Sequence, residues 1–171
     1  QLGASAPDYA PFGITGNGHE YEGLTADYAG LLGQLLQVDV QVRRYPSRAE
    51  ALQALRGGEI DMLGSANGFE AGDPELAMSQ AYADDQPTLV TRAGDNRKLA
   101  PDLAGKRVSM LYHYLPHEAV KAFYPKASLQ LYPSTLSAIG AVAFGQADVY
   151  LGGSISAHYL ITKNYLNNVQ L

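Results

Sequence analysis

The sequence predicts an α/β protein built from two similar halves, each a mostly parallel sheet flanked by helices, and three observations carry that prediction. Tyr45-Pro46-Ser47 returns 87 residues later as Tyr132-Pro133-Ser134. At the same offset Ala51 meets Ala138, Ala54 meets Ala141, Gly58 meets Gly145 and Asp61 meets Asp148, while Leu52/Ile139 and Leu55/Val142 keep apolar positions. Each copy also reads as strand, turn, helix, turn, strand, and a helical crossover returns the chain in the direction it left, which makes the paired strands parallel.

Taken in order, Leu2 to Ala6 reads as a first strand, and the Gly16-Asn17-Gly18 turn is expected to close a small hairpin. Ala26 to Leu36 has helical spacing, with Tyr28, Leu31, Leu32, Leu35 and Leu36 predicted to form one broad inward face. Val38, Val40 and Val42 alternate as a strand does. Ser47-Arg48-Ala49-Glu50 has the pattern of a helix start in which side chains satisfy free amides; Leu52 and Leu55 then face inward. Gly57-Gly58 ends that helix before a short strand, Ile60 to Leu63. Pro87 to Thr91 is a further strand, and the polar run Ala93 to Lys98 reads as a linker, which places one half at 1–92 and the other at 99–171. In the second half Arg107 to Leu111 is a strand and Pro116 to Phe123 a helix. Leu129 and Leu131 alternate, Ser134 caps a helix carrying Leu136, Ile139 and Val142, and Val149-Tyr150-Leu151 follows.

Composition narrows the function. The chain has 171 residues, 12 basic against 17 acidic, and a formal charge of −5 with no cationic cluster, so nucleic acid is not an expected partner. Its apolar runs are far shorter than the roughly 20 residues a membrane-crossing helix needs, and no basic-then-apolar leader opens it, so the sequence as given is expected to be soluble. It has no cysteine, which excludes disulfides, zinc–thiolate sites and cysteine nucleophiles.

Five motifs in order resemble the extracellular solute-binding proteins of the amino-acid-binding class. They are Tyr9-Ala10-Pro11-Phe12, Tyr21 to Tyr28, Ala54-Leu55-Arg56-Gly57-Gly58-Glu59-Ile60-Asp61, Asp102-Leu103-Ala104-Gly105-Lys106-Arg107-Val108 and Gly145-Gln146-Ala147-Asp148-Val149. The likeness covers almost the whole chain and implies a two-lobed Venus-flytrap fold: lobe 1 at 1–92, a hinge at 93–98 and lobe 2 at 99–171. It also implies a final return to lobe 1, which the sequence is expected to stop short of. The wording of Tyr21 to Tyr28, Gly64 to Glu70 and Ser154 to Leu160 is similar to flytrap sensor domains of BvgS/EvgS-type hybrid histidine kinases.

The resemblance implies a ligand held between the lobes by loops at the carboxyl ends of strands. Tyr9 and Phe12 follow the first strand and could stack on a flat ligand, or pack the core instead. Ser65, Asn67 and Phe69 follow the strand at 60–63; a plain polar turn is the alternative. Tyr112, His113 and Tyr114 follow the first strand of the second half. Two ionic groups of the family are missing. No arginine occurs between Asn67 and Asp73, where the family clamps a ligand carboxylate, and Gly153 stands where it places an ammonium-binding aspartate. A standard α-amino acid is therefore not the expected ligand.

Other chemistry fits poorly. His113 and His117 have the i, i+4 spacing of a zinc pair, but Pro116 belongs at a helix start and leaves His113 in the loop before it, so neither metal nor cofactor is expected. Gly13 to Gly18 lacks the Gly-Lys-Ser/Thr of a phosphate loop. Gly64-Ser65-Ala66-Asn67-Gly68 sets its serine one position early for a nucleophile elbow. The duplicated Asp61 and Asp148 read as repeated structural positions rather than a catalytic pair.

What the resemblance implies, then, is no enzyme but a periplasmic ligand-sensing domain of a membrane histidine kinase, binding a small solute and signalling by opening and closure, with homodimerisation left open. A free solute-binding protein of an ABC transporter is the alternative. A dehydratase on the same fold is a third reading, for which Glu70 and His113 are the acid–base candidates.

Overall fold

The computed structural model describes residues 1–15, 20–164 and 167–171. The chain divides into two compact units, Gln1–Ala83 and Asp84–Leu171. The turn expected at Gly16-Asn17-Gly18 lies outside the described residues, although Ile14 and Glu22 on either side of it pair antiparallel.

Unit 1 holds β1 (Leu2–Ser5), α1 (Leu24–Leu36), β2 (Val42–Tyr45), α2 (Arg48–Arg56), β3 (Met62–Leu63) and α3 (Gly68–Ala71). Its sheet runs β2-β1-β3, and both pairings are parallel. The side chain of Ser47 accepts from Glu50 N and starts α2 as expected. Gly58, at φ 73°, adopts the left-handed conformation that glycine enters without a Cβ penalty.

Two expectations fail in unit 1. The valines at 38 and 40 precede the strand, which begins at Val42, and Val38 is exposed. α1 turns the other way round: Thr25, Ala29 and Gly33 are buried, whereas Tyr28, Leu31, Leu35 and Leu36 are exposed, Leu35 by 81%. The packed face is the one with small residues because it must approach closely. A Cβ on Gly33 would lie 3.0 Å from the Val38 carbonyl oxygen. Helical spacing finds an apolar stripe but does not say which stripe meets the sheet.

Unit 2 holds β4 (Pro87–Arg92), β5 (Arg107–Leu111), α4 (His117–Phe123), β6 (Ser128–Tyr132), α5 (Thr135–Ala143), β7 (Val149–Gly153), α6 (Ser154–Lys163) and β8 (Val169–Gln170). The sheet order is β6-β5-β7-β4-β8, parallel across β6-β5-β7 and antiparallel where β4 meets β7 and β8. Alternation along the strands sorts two apolar clusters. Val108, Met110, Val149 and Leu151 join Leu103, Tyr114 and Val120, while Val90 and Tyr150 join Ile139, Val142, Ala157 and Val169.

The dividing line differs from the one drawn on the sequence at 93–98. β4, expected in the first half, pairs with β7 along its length, and Val90 is fully buried in the second unit's core. The polar run 93–98 therefore connects β4 to β5 inside unit 2. Polarity and turn residues mark a loop, but not whether the loop joins lobes.

The duplication is reproduced in three dimensions: α2 at 48–56 and α5 at 135–143 are the same nine positions. Ser134, like Ser47, caps its helix, accepting from Ser137 N, and Gly145 has φ 75° against 73° at Gly58. The paired aspartates also share a task. Asp148 accepts from the backbone nitrogen of Arg107, the first residue of β5, at 2.9 Å, and Asp61 pairs with the nitrogen of Gln1, just before β1, at 2.6 Å.

Candidate functional site

In unit 1 the residues that follow the strands gather around an aromatic and hydroxyl cluster. The Tyr9 and Phe12 rings stack at 5.3 Å between centroids, Phe12 meets the Tyr82 ring edge-on at 6.5 Å, and Tyr82 leans on Tyr28 at 4.8 Å. Phe12 is 5% exposed and is a core residue, whereas Tyr9 is half-buried. The Tyr82 hydroxyl lies 2.7 Å from Thr25 Oγ1 and donates to the Gly64 carbonyl oxygen at 3.2 Å. Tyr21 reaches the same place. A Cβ on Gly13 or Gly64 would come within 2.7 Å or 3.0 Å of its hydroxyl, so the two glycines make the room it occupies. Burial holds the Tyr21 and Tyr82 phenols above their ordinary pKa, and both stay neutral donors.

The loop after β3 is built around a buried ion pair. Arg48 Nε donates to Glu70 Oε1 at 2.9 Å, and Arg48 Nη2 donates to the Ser65 carbonyl oxygen at 2.5 Å. Glu70 Oε2 accepts from Asn67 N at 3.0 Å, and Asn67 Oδ1 accepts from Phe69 N at 3.0 Å, which together start α3. The Glu70 side chain is 1% exposed. These contacts give Asn67 and Glu70 structural work. Glu70, named above as an acid–base candidate, is instead the counter-ion of Arg48. The arginine absent from positions 67–73 thus comes to this loop from α2, already neutralised.

In unit 2, Tyr112, His113 and Tyr114 follow β5 as expected, but their environments differ. Tyr112 is exposed and lies 4.8 Å and 4.6 Å, ring to ring, from His113 and His117. His117 opens α4 after Pro116, with its Nε2 2.7 Å from the Tyr112 carbonyl oxygen. Tyr114 is 6% exposed and packs with Val108, Met110 and Leu151. Burial, aided by the nearby Asp85 carboxylate, pushes its phenol up to about 12.

Gly153 ends β7 beneath that same carboxylate. A Cβ at 153 would fall 1.9 Å from Asp85 Oδ2, so the Asp85 side chain fills the space that a side chain at 153 would need. Asp85 Oδ1 accepts from Ile155 N at 2.8 Å and lies 3.4 Å from Ser154 Oγ, capping α6.

Reading the sequence missed Arg48, Tyr82 and Asp85. Arg48 carried a signal, because the repeat puts Thr135 opposite it; Tyr82 and Asp85 lie in the stretch 76–86, which has neither helix nor strand and gave no periodicity to read.

The family model for bacterial extracellular solute-binding proteins, family 3, matches residues 3–159. The virulence sensor protein BvgS of Bordetella bronchiseptica is 42% identical over 170 residues, 99% of this chain but 14% of the relative. The sensor protein EvgS of Escherichia coli O157:H7 is 25% identical over 152 residues, 87% of this chain and 12% of EvgS. Among solved structures, the crystal structure of the B. pertussis BvgS periplasmic domain matches with a TM-score of 0.85 at 41% identity, covering 99% of this chain and 33% of that one. The chain thus spans about a seventh of the BvgS sequence it matches.

Proposed function

Because the chain belongs to the bacterial extracellular solute-binding proteins, family 3, and is homologous to the periplasmic part of a sensor protein, we propose that it is a ligand-sensing domain whose state is read by a membrane-embedded histidine kinase. The observation that carries this is the BvgS match, which holds over 99% of the chain at 41% identity. The domain has the Venus-flytrap fold and works outside the cytoplasm. On this reading a small solute binds the domain and favours one of its states. Differential affinity is the only means by which a ligand can shift such an equilibrium. The receiving partner is the remainder of the same receptor.

The site chemistry supports binding without turnover. Glu70 is buried and committed to Arg48 and Asn67, so it is not poised to move a substrate proton. Arg48 carries no free charge for a carboxylate, which supports a ligand other than a standard α-amino acid. Tyr9, half-buried after β1, and Tyr112, exposed after β5, are the residues we assign to ligand contact, with Ser65 and the Asp85 carboxylate over Gly153 as polar groups.

A thermal-shift screen of small metabolites on the purified domain tests this, since a ligand at 100 times its Kd adds about 2.7 kcal/mol to the folded state. A shift with at least one solute is expected, abolished in Tyr9→Ala or Tyr112→Ala while the melting temperature without ligand stays near that of the parent. A shift that survives both substitutions removes these residues from the site; no shift with any solute class sinks the binding reading.

A further inference from the structure

The sheet of unit 2 ends on one side in β6, which differs from every other sheet edge among the described residues. β6 pairs in parallel with β5 through the main chains of alternate residues: Ser128 N donates to the Lys106 carbonyl oxygen at 2.8 Å, and the Tyr132 carbonyl oxygen accepts from Tyr112 N at 2.9 Å. Ser128, Gln130 and Tyr132 therefore turn their main chains towards β5, and Leu129 and Leu131 turn theirs away from the sheet. The outward row is bounded at both ends. Ala127 N already donates to the Tyr124 carbonyl oxygen at 3.1 Å, and Pro133 has no N–H. Two open donors remain, at Leu129 and Leu131, placed evenly on either side of Gln130. Residues 127–134 carry no charge. The edge strand β2 instead carries Arg43 and Arg44, and β3 and β8 are only two residues long. Charge and short length are common means of discouraging strand addition, and β6 has neither.

We infer that β6 is a pairing edge for a second copy of this chain, the two β6 strands running antiparallel about a two-fold axis at Gln130. In that register Leu129 faces Leu131 of the second copy, and Leu131 faces its Leu129. Each of these pairs exchanges both N–H···O bonds, so every open donor on the two edges is satisfied. A symmetric contact uses the same patch on both copies. The chain has a formal charge of −5, yet this edge sets no like charges against each other. Leu129 and Leu131 lie on the sheet face of Val108 and Met110; Leu129 packs against their cluster, whereas Leu131 is 37% exposed and gains cover from the second strand. Gln130, on the axis, has an Oε1 that is buried with no hydrogen-bond partner, and the pairing brings the amide of its twin beside it. A foreign strand would also meet the backbone groups; the even placement of two donors about one glutamine is what fits a twin. The inference goes beyond ligand sensing and requires no solute.

The absence of cysteine makes the register directly testable on the whole domain. In a two-fold antiparallel pair Gln130 and its twin form a non-hydrogen-bonded pair with Cα atoms about 4.5 Å apart, within reach of a disulfide. Ser128 and Tyr132 each stand roughly 13 Å from their own twins, beyond that reach. Gln130→Cys is therefore expected to give a disulfide-linked dimer under mild oxidation, with a yield about tenfold or more above that of Ser128→Cys or Tyr132→Cys. Adding Leu131→Pro removes an outward donor but no bond to β5, and is expected to lower the Gln130→Cys yield about fivefold or more with the melting temperature little changed. Leu131→Lys, which gives β6 the kind of charge that β2 carries, takes its place if the proline variant does not fold. No cross-link at Gln130→Cys, equal yields at all three positions, or a yield untouched by folded Leu131→Pro or Leu131→Lys would overturn the inference. If Gln130→Cys itself does not fold, light scattering over rising concentration decides: the parent is expected to dimerise and Leu131→Lys to stay monomeric, and a monomeric parent or an equally dimeric variant overturns the pairing. Failure here leaves ligand binding untouched, because the thermal-shift screen reads that separately.

Discussion

The two copies of the strand–helix–strand passage share length, helix caps and terminal glycines, but they fasten the loop that follows by opposite means. In unit 1, Arg48 at the first position of α2 reaches back to Glu70 and the Ser65 carbonyl. Eighty-seven residues on, the corresponding positions are Thr135 and Ala157, both buried, and Thr135 Oγ1 has no hydrogen-bond partner among the described residues. Where unit 1 spends a charge pair and starts a helix of four residues, unit 2 packs small side chains and starts α6, ten residues long, capped from a distance by Asp85. The scaffold tolerates either solution because α2 and α5 are fixed by their own caps and apolar faces. The loops are where two copies of one plan can diverge in surface chemistry.

The largest expected effect comes from breaking the charged solution. Glu70→Ala leaves Arg48 buried without its counter-ion and is expected to cost about 3–5 kcal/mol. Giving unit 1 the residues of unit 2, Arg48→Thr with Glu70→Ala, removes the stranded charge and is expected to recover much of that loss. Urea midpoints of the single and double variants check the ordering. A double variant less stable than Glu70→Ala alone would mean that Arg48 holds the Ser65 loop without help from Glu70.

The duplicated aspartates give the next effect. Asp148 accepts from Arg107 N and takes both Nε and Nη2 of its guanidinium at 3.0 Å, whereas the Asp61 side chain is 76% exposed and holds Gln1 N alone. Asp148→Ala is expected to cost about 1–3 kcal/mol, since it leaves a partly buried amide unpaired. Asp61→Ala should stay within about 0.5 kcal/mol of the parent.

The same pair predicts a pH dependence. Hydrogen bonds from Arg107 hold the Asp148 carboxyl down to about 2 from its ordinary 3.8. The unfolded chain therefore binds this proton more readily than the folded one, so the contribution is complete above about pH 4 and is lost as pH falls towards 2. Being partly open to water, the pair contributes no more than on the order of 1 kcal/mol. The stability gap between the parent and Asp148→Asn, followed by urea titration, is expected to narrow from pH 5 to pH 2. A gap that stays constant would show that the carboxylate's charge is not what matters.

Much of this architecture was legible because caps and glycines act locally. Ser47, Ser134, Gly58 and Gly145 do in the structure what their residue types favour in any helix end, and the Tyr45/Tyr132 repeat kept the register between copies. Strands at 107–111 and 149–151 were readable because alternation along them separates two apolar clusters. What stayed hidden depended on partners distant in sequence. Glu70 is committed to an arginine 22 residues earlier, Asp85 caps a helix some 70 residues later, and Tyr82 reaches back 57 residues to Thr25. Tyr112 and Tyr114 differ by two positions in a loop, and only packing distinguishes the exposed ring from the buried one.

The smallest expected effect separates the two units by their surfaces. Both apolar clusters of buried side chains described above belong to unit 2, while α1 of unit 1 turns Tyr28, Leu31 and Leu35 to solvent. A side chain that is exposed in the folded domain gains little from folding, so Leu35→Gln, at 81% exposure, is expected to change stability by no more than about 0.5 kcal/mol. Ile139→Ala, on α5 of unit 2 and fully buried, is expected to cost about 2–5 kcal/mol. Parallel urea titrations on residues 1–171 compare them. A Leu35→Gln loss approaching that of Ile139→Ala would mean that the outer face of α1 is covered in solution, and that the small-residue face of Thr25, Ala29 and Gly33 is not the helix's only packed side.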